Sequence, residues 1–139
     1  MRSLAPPQPH SAPPALVLII DDEPDTNGLY REYLEFCGFR VAKAGGLEAV
    51  FEAQARRPHV VVMDLVAPRI DAAETVRQLK AHPATADIPV VALSLSGKEA
   101  ALARAAGADV CLTKPCLPSQ VARAIRALLV WQRSRRVVR

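Results

Sequence analysis

Aromatic residues are scarce in this chain, with three Phe, two Tyr and one Trp among 139 residues. Any core must therefore be built from Val, Leu, Ile and Ala, which suits helices packed on a buried sheet. Cysteine is nearly as rare. Cys37, Cys111 and Cys116 are odd in number and form no CxxC pair, which excludes a disulfide frame or a zinc site as the organising element and fits reduced, buried thiols. Long apolar runs are missing too: the longest near the start, Ala15 to Ile20, is too short to span a bilayer and follows prolines rather than a signal-peptide pattern. An unexported protein of the cytoplasm is expected. No GxGxxG follows a strand and no GxxxxGK[ST] occurs anywhere, so Gly45-Gly46 reads as a loop before a helix. Acid is absent from one end. From Val110 onward there are one Lys and six Arg but no Asp or Glu, and the formal net charge of +4 is concentrated there. That stretch has no interleaved aromatics and reads as a solvated helix face and tail rather than a nucleic-acid surface.

The length suits one domain. Residues 1–14 carry Pro6, Pro7, Pro9, Pro13 and Pro14 and are expected to be a disordered leader, residues 15–131 the folded domain, and residues 132–139 a basic tail. Within the domain, short runs of branched apolar residues alternate with segments whose apolar positions recur at helical spacing. Strands are predicted at Leu16–Ile20, Arg40–Ala44, Val60–Met63, Pro89–Leu93 and Asp109–Thr113. Helices are predicted at about Pro24–Cys37, Gly46–Arg56, Asp71–Ala81, Gly97–Ala106 and Pro118–Trp131. Gly38 and Gly107 stand where a helix stops in a left-handed residue. Strands apolar on both faces must be covered on both sides, so the expected architecture is α/β, a doubly wound five-stranded parallel sheet.

Polar residues follow those strands in a pattern. Asp21 and Asp22 come after the first, Asp64 after the third, Ser94 after the fourth and Lys114 after the fifth. In an open parallel sheet the carboxyl ends share one edge, and the crevice there is where ligands bind. Any one of these residues taken alone is better read as the N-cap of the following helix; for the whole set that reading would need several coincidences. Crowded carboxylates without His or Cys suit a hard cation such as Mg²⁺.

The residues resemble the receiver domain of bacterial two-component response regulators, from about Leu16 to Leu129. The matching segments are Val17 to Asp25 (VLIIDDEPD), Val62-Met63-Asp64-Leu65 with Pro68 and Asp71, Ile88 to Ser94 (IPVVALS), Gly107-Ala108-Asp109, and Lys114-Pro115. The resemblance implies a flavodoxin-like (βα)5 fold. It further implies that Asp64 accepts a phosphoryl group from a sensor histidine kinase or phosphotransfer protein. Asp21, Asp22, Asp64 and the backbone carbonyl of Val66 would hold Mg²⁺ or Mn²⁺, Lys114 would neutralise the phosphoryl oxygens, and Ser94 would donate its hydroxyl to one of them. The Lys114-Pro115 peptide is usually cis in the family. A stand-alone switch is expected, assisting its own chemistry without being a classical enzyme and signalling to a protein target as a monomer or weak dimer, without membrane or nucleic acid.

Some positions depart from the family pattern. Cys111 stands where many members carry Tyr or Phe, which removes the usual aromatic readout. Leu95 is bulky where Ala or Gly is common and is expected to restrict the kinase's approach. Ala67 and Ala72 replace the more usual Met and Gly, and a Cβ at Ala72 is expected to strain or reshape its turn. A degenerate, phosphorylation-independent receiver is therefore one alternative. An Mg²⁺-dependent aspartyl phosphatase is another, opposed by adjacent Asp residues where such enzymes carry DxDx[TV].

Overall fold

A computed structural model describes residues 13–21, 28–64 and 71–138, with side chains up to Ser134. Five strands, β1 (Leu16–Ile20), β2 (Arg40–Ala44), β3 (Val60–Asp64), β4 (Val90–Ser94) and β5 (Val110–Thr113), form one sheet in the order β2-β1-β3-β4-β5. Every adjacent pair is parallel. The connections carry α1 (Gly28–Phe36), α2 (Ala49–Arg56, entered through a 3-10 turn at Gly46–Glu48), α3 (Ala72–Ala81) and α4 (Gly97–Ala106), and α5 (Pro118–Val138) follows β5.

The alternation of side chains along the strands divides the core in two. Leu18, Ile20, Val61, Met63, Val90 and Ala92 pack with residues of α2, α3 and α4 such as Ala53, Val76 and Ala103. Val17, Ile19, Val60, Val62, Val91 and Leu93 pack with Leu34 of α1 and with Val121, Ile125 and Leu128 of α5. β3 and β4 are buried at every position, whereas the edge strands β2 and β5 are partly exposed. The chain winds outward from β1 to β2, then crosses to β3 on the other side, which sets the topological switch between β1 and β3.

The five expected βα units are all present, and their strands start or end within a residue of the predicted bounds. The start predicted for α1 at Pro24 lies outside the described residues, as do residues 1–12 of the leader. At the other end the expectation needs correcting. Residues 132–138, read as a tail, continue α5 to Val138. No Gly or Pro interrupts this stretch, and Gln132 Nε2 donates to the Asp87 carbonyl in the loop before β4.

Gly38 and Gly107 close their helices at φ 99° and 121°. A third left-handed stop, unmarked by any glycine, is Arg57 at φ 51° after α2. Ala72 is not strained: among the described residues Arg57 alone of the non-glycines has positive φ, and Ala72 is the buried first residue of α3. The helix it opens is capped by Asp71, whose side chain accepts from Glu74 N at 3.0 Å. Among the described residues, no helix is long and apolar enough to cross a membrane.

Candidate functional site

Asp21 is the first residue past β1, and its N–H continues the ladder by donating to the Ala44 carbonyl of β2 at 3.0 Å. Asp64 is the last residue of β3. Ile20 is in register with Met63, so Asp21 and Asp64 follow at the ends of neighbouring strands, whose spacing is about 4.8 Å. Strand alternation gives them the parity of Val17, Ile19, Val60 and Val62, the side covered by α1 and α5. Both are buried, at 4% and 5% exposure.

Lys114 arrives from the far side of the sheet. Its N–H donates to the Ser94 carbonyl at 2.7 Å, extending the pairing of β4 with β5. Its ammonium lies 2.6 Å from Asp64 Oδ2, a short charge-assisted contact. The Lys114-Pro115 peptide is cis. Ser94 closes β4, one register step beyond the residue opposite Asp64. It is wholly buried, and its Oγ has no hydrogen-bond partner among the described residues. Thus Asp21, Asp64, Ser94 and Lys114 share the carboxyl edge, with Asp64 and Lys114 in direct contact. Asp22 and Val66 lie outside the described residues.

Carboxylates at neighbouring strand ends repel, by about 3 kcal/mol for a separation of about 5 Å at an effective dielectric near 20, and Lys114 supplies a positive charge beside Asp64. The chemistry of this set, oxygen donors and no thiolate or imidazole, fits a hard divalent cation. Beside these groups sits one that the sequence left unmarked. Tyr30 of α1 donates its hydroxyl to the Cys116 carbonyl at 3.1 Å and lies 3.5 Å from Cys116 Sγ. Burial first, then Cys116 and the charge on Asp64, push its pKa well above the ordinary phenol value, so it remains a neutral donor. The only signal in the sequence was one of two tyrosines at a core-facing position of an amphipathic helix.

Leu95 is exposed at the rim, and its N–H is tied to Glu99 Oε1 at 2.8 Å. Cys111 packs against the α2–α4 side of the core and its Sγ donates to the Ala100 carbonyl at 3.6 Å; burial raises its thiol pKa. Cys116 packs against the opposite side. With the two thiols in different layers, a disulfide across Lys114 has no geometric support.

The sequence model of the response regulator receiver domain matches residues 17–126. The chain belongs to this family. Receiver domains are signalling domains phosphorylated by histidine kinases, and Mg²⁺ binding is typical of them. This receiver fold is shared with a putative response regulator from Chloroflexus aurantiacus, at 27% identity and TM-score 0.77, covering 84% of this chain and 98% of that one. The signal receiver domain of a signal transduction histidine kinase from Syntrophus aciditrophicus is similar at 28% identity and TM-score 0.76, covering 84% and 90%. The DNA-binding dual master transcriptional regulator RpaA of Synechocystis sp. is 34% identical over 116 residues, which are 81% of this chain and 48% of that protein. The receiver spans about half the length of the curated relatives it matches.

Proposed function

We propose that this receiver accepts a phosphoryl group on Asp64. A carboxylate oxygen of Asp64 forms the new O–P bond as the N–P bond of a kinase phosphohistidine breaks, and the departing imidazole nitrogen keeps the electron pair. In the loose transition state charge spreads over the phosphoryl oxygens, so catalysis is mainly positioning and neutralisation. Lys114, already held against Asp64, meets one of those oxygens. Ser94, with a hydroxyl buried and unpartnered among the described residues, donates to another once the group is on Asp64. Mg²⁺, held by Asp21, Asp22, Asp64 and the Val66 carbonyl, would supply the remaining positive charge. The output is read as docking of the phosphorylated face on a protein target in the cytoplasm.

The observation that carries this reading is the Asp64–Lys114 contact of 2.6 Å at the topological switch. Incubation with acetyl phosphate, with and without Mg²⁺, followed by intact-mass spectrometry tests it. The expected result is one phosphoryl adduct that needs Mg²⁺ and is lost in Asp64→Asn. Steady phosphate release without an adduct points to an aspartyl phosphatase. A wild-type protein that never labels points to a degenerate receiver, the reading favoured by the exposed Leu95 at the rim and the absence of an aromatic at Cys111.

A further inference from the structure

We infer that Tyr30 is a positioning residue for phosphoryl transfer: its hydroxyl holds the Cys116 carbonyl, and with it the Lys114-Pro115-Cys116 segment, so that the Lys114 ammonium stays on Asp64. This rests on the reading of Asp64 as phosphoacceptor. The backbone around Lys114 has few fixed points. Before it, the Lys114 N–H is bound to the Ser94 carbonyl at 2.7 Å. After it, the Leu117 N–H donates to Gln120 Oε1 at 2.6 Å as α5 begins. Between these two anchors the segment is tied by Tyr30, 86 residues earlier in the chain and on a different element.

The ring of Tyr30 packs against the α1–α5 side of the core, which limits where its hydroxyl can go. A packed ring needs no hydroxyl. A phenol oxygen taken out of water does need an acceptor, and the Cys116 carbonyl and thiol are what it meets. Those two contacts set the hydroxyl on the residue two positions beyond Lys114. A lysine side chain has four rotatable bonds, so a backbone that drifts at Cys116 loosens the ammonium without unfolding anything. Small misplacements of this kind lower the rate of a positioned reaction more than they affect binding.

The test is Tyr30→Phe, which deletes one hydroxyl and keeps the ring, beside Tyr30→Leu, which deletes both. Phosphorylation by acetyl phosphate is followed as a function of acetyl phosphate and Mg²⁺ concentration. In Tyr30→Phe the maximal rate should fall about three- to tenfold, the loss expected from one hydrogen bond. The half-saturating concentrations should remain near wild type while the urea midpoint falls by no more than about 1 M, so that the protein is fully folded in the assay, and the loss confined to the maximal rate is a split that a purely structural role would not produce. Amide resonances of Lys114 and Cys116 should shift in this variant while those of β2 stay in place. A Tyr30→Phe protein that labels at the wild-type rate, with Tyr30→Leu slow, would overturn the inference by assigning Tyr30 to packing alone. If wild-type protein itself takes no phosphoryl group, the phosphoacceptor reading fails instead, so the two failures are distinct.

Discussion

Replacing Lys114 by Met tests whether the ammonium compensates a buried charge. Methionine keeps most of the stem and deletes the charge, leaving the Asp64 carboxylate beside Asp21 at the neighbouring strand end. The wild-type contact is 2.6 Å, with side-chain exposures of 19% for Lys114 and 6% for Asp64, so solvent screens it weakly. Breaking a buried pair from one side costs about 3–5 kcal/mol. The site lies at a sheet edge where water can rehydrate the carboxylate in part, and the low end, about 3 kcal/mol, applies. With a urea slope of about 1.5–2 kcal/mol per molar for a small domain, the unfolding midpoint in EDTA at neutral pH should drop by about 1.5–2 M. Adding Asp64→Asn to Lys114→Met removes the stranded charge and should return about 2 kcal/mol, giving a clear coupling in the double-mutant cycle. A midpoint shift under about 0.5 M, or a double mutant no more stable than the single, would refute the idea that Lys114 neutralises Asp64.

Gly107→Ala should cost about 2 kcal/mol or more, because a Cβ at φ 121° would lie 2.8 Å from Lys80 Cγ and displace a side chain bound to the Ile88 carbonyl and Asp109. Gly38→Ala, at φ 99° with nothing within 4 Å of its Cβ, should cost only about 1 kcal/mol; equal urea midpoints for the two would contradict the Lys80 clash. Ser94→Ala should leave the unphosphorylated protein as stable or raise its stability by up to about 1 kcal/mol, since it deletes a hydroxyl buried without a described partner; a loss greater than that would mean the hydroxyl is satisfied. Cys111 should react with iodoacetamide at pH 7.5 more slowly than an unstructured cysteine peptide, because burial raises its thiol pKa. The same shift favours the neutral thiol in the fold, so its contribution to stability is full below the ordinary thiol pKa and fades as pH rises through the elevated value. Peptide-level mass spectrometry reads the labelling, and equal rates would count against a thiol held neutral by its partial burial.

Much of the site was legible because parallel sheets convert sequence position into place. Strands buried on both faces read as unbroken branched residues, and whatever follows each strand must meet at one edge, so the encounter of Asp64 and Lys114, 50 positions apart, follows from topology. What escaped the sequence depends on packing rather than pattern. Arg57 adopts a left-handed turn that glycine usually signals. The helix expected to end at Trp131 has no breaker to end it and runs on to Val138. Tyr30 occupies an apolar-face position in α1, which identifies it as core, but nothing in the spacing reveals that its hydroxyl meets Cys116. Ala72 was expected to strain a turn on family pattern alone, whereas it opens a helix that Asp71 caps.

The two edges of the sheet treat the Ser94 hydroxyl and the other buried polar groups differently. At the amino edge polar groups satisfy one another. Asp109 Oδ2 accepts from Val90 N at 2.8 Å and from Lys80 at 3.1 Å, and His59 Nδ1 accepts from Leu16 N at 2.9 Å. The buried Thr85 hydroxyl also finds an acceptor there, in the Leu79 carbonyl. The carboxyl edge instead leaves the buried Ser94 hydroxyl with no described partner, beside two buried carboxylates of which Asp64 is paired with Lys114. A core apolar through β3 and β4 tolerates such a rim because each buried Val, Leu or Ile contributes roughly 1.5–3 kcal/mol. A hydroxyl that folding leaves without a described partner is one whose acceptor would arrive later, which for Ser94 under the reading proposed above is a phosphoryl oxygen on Asp64.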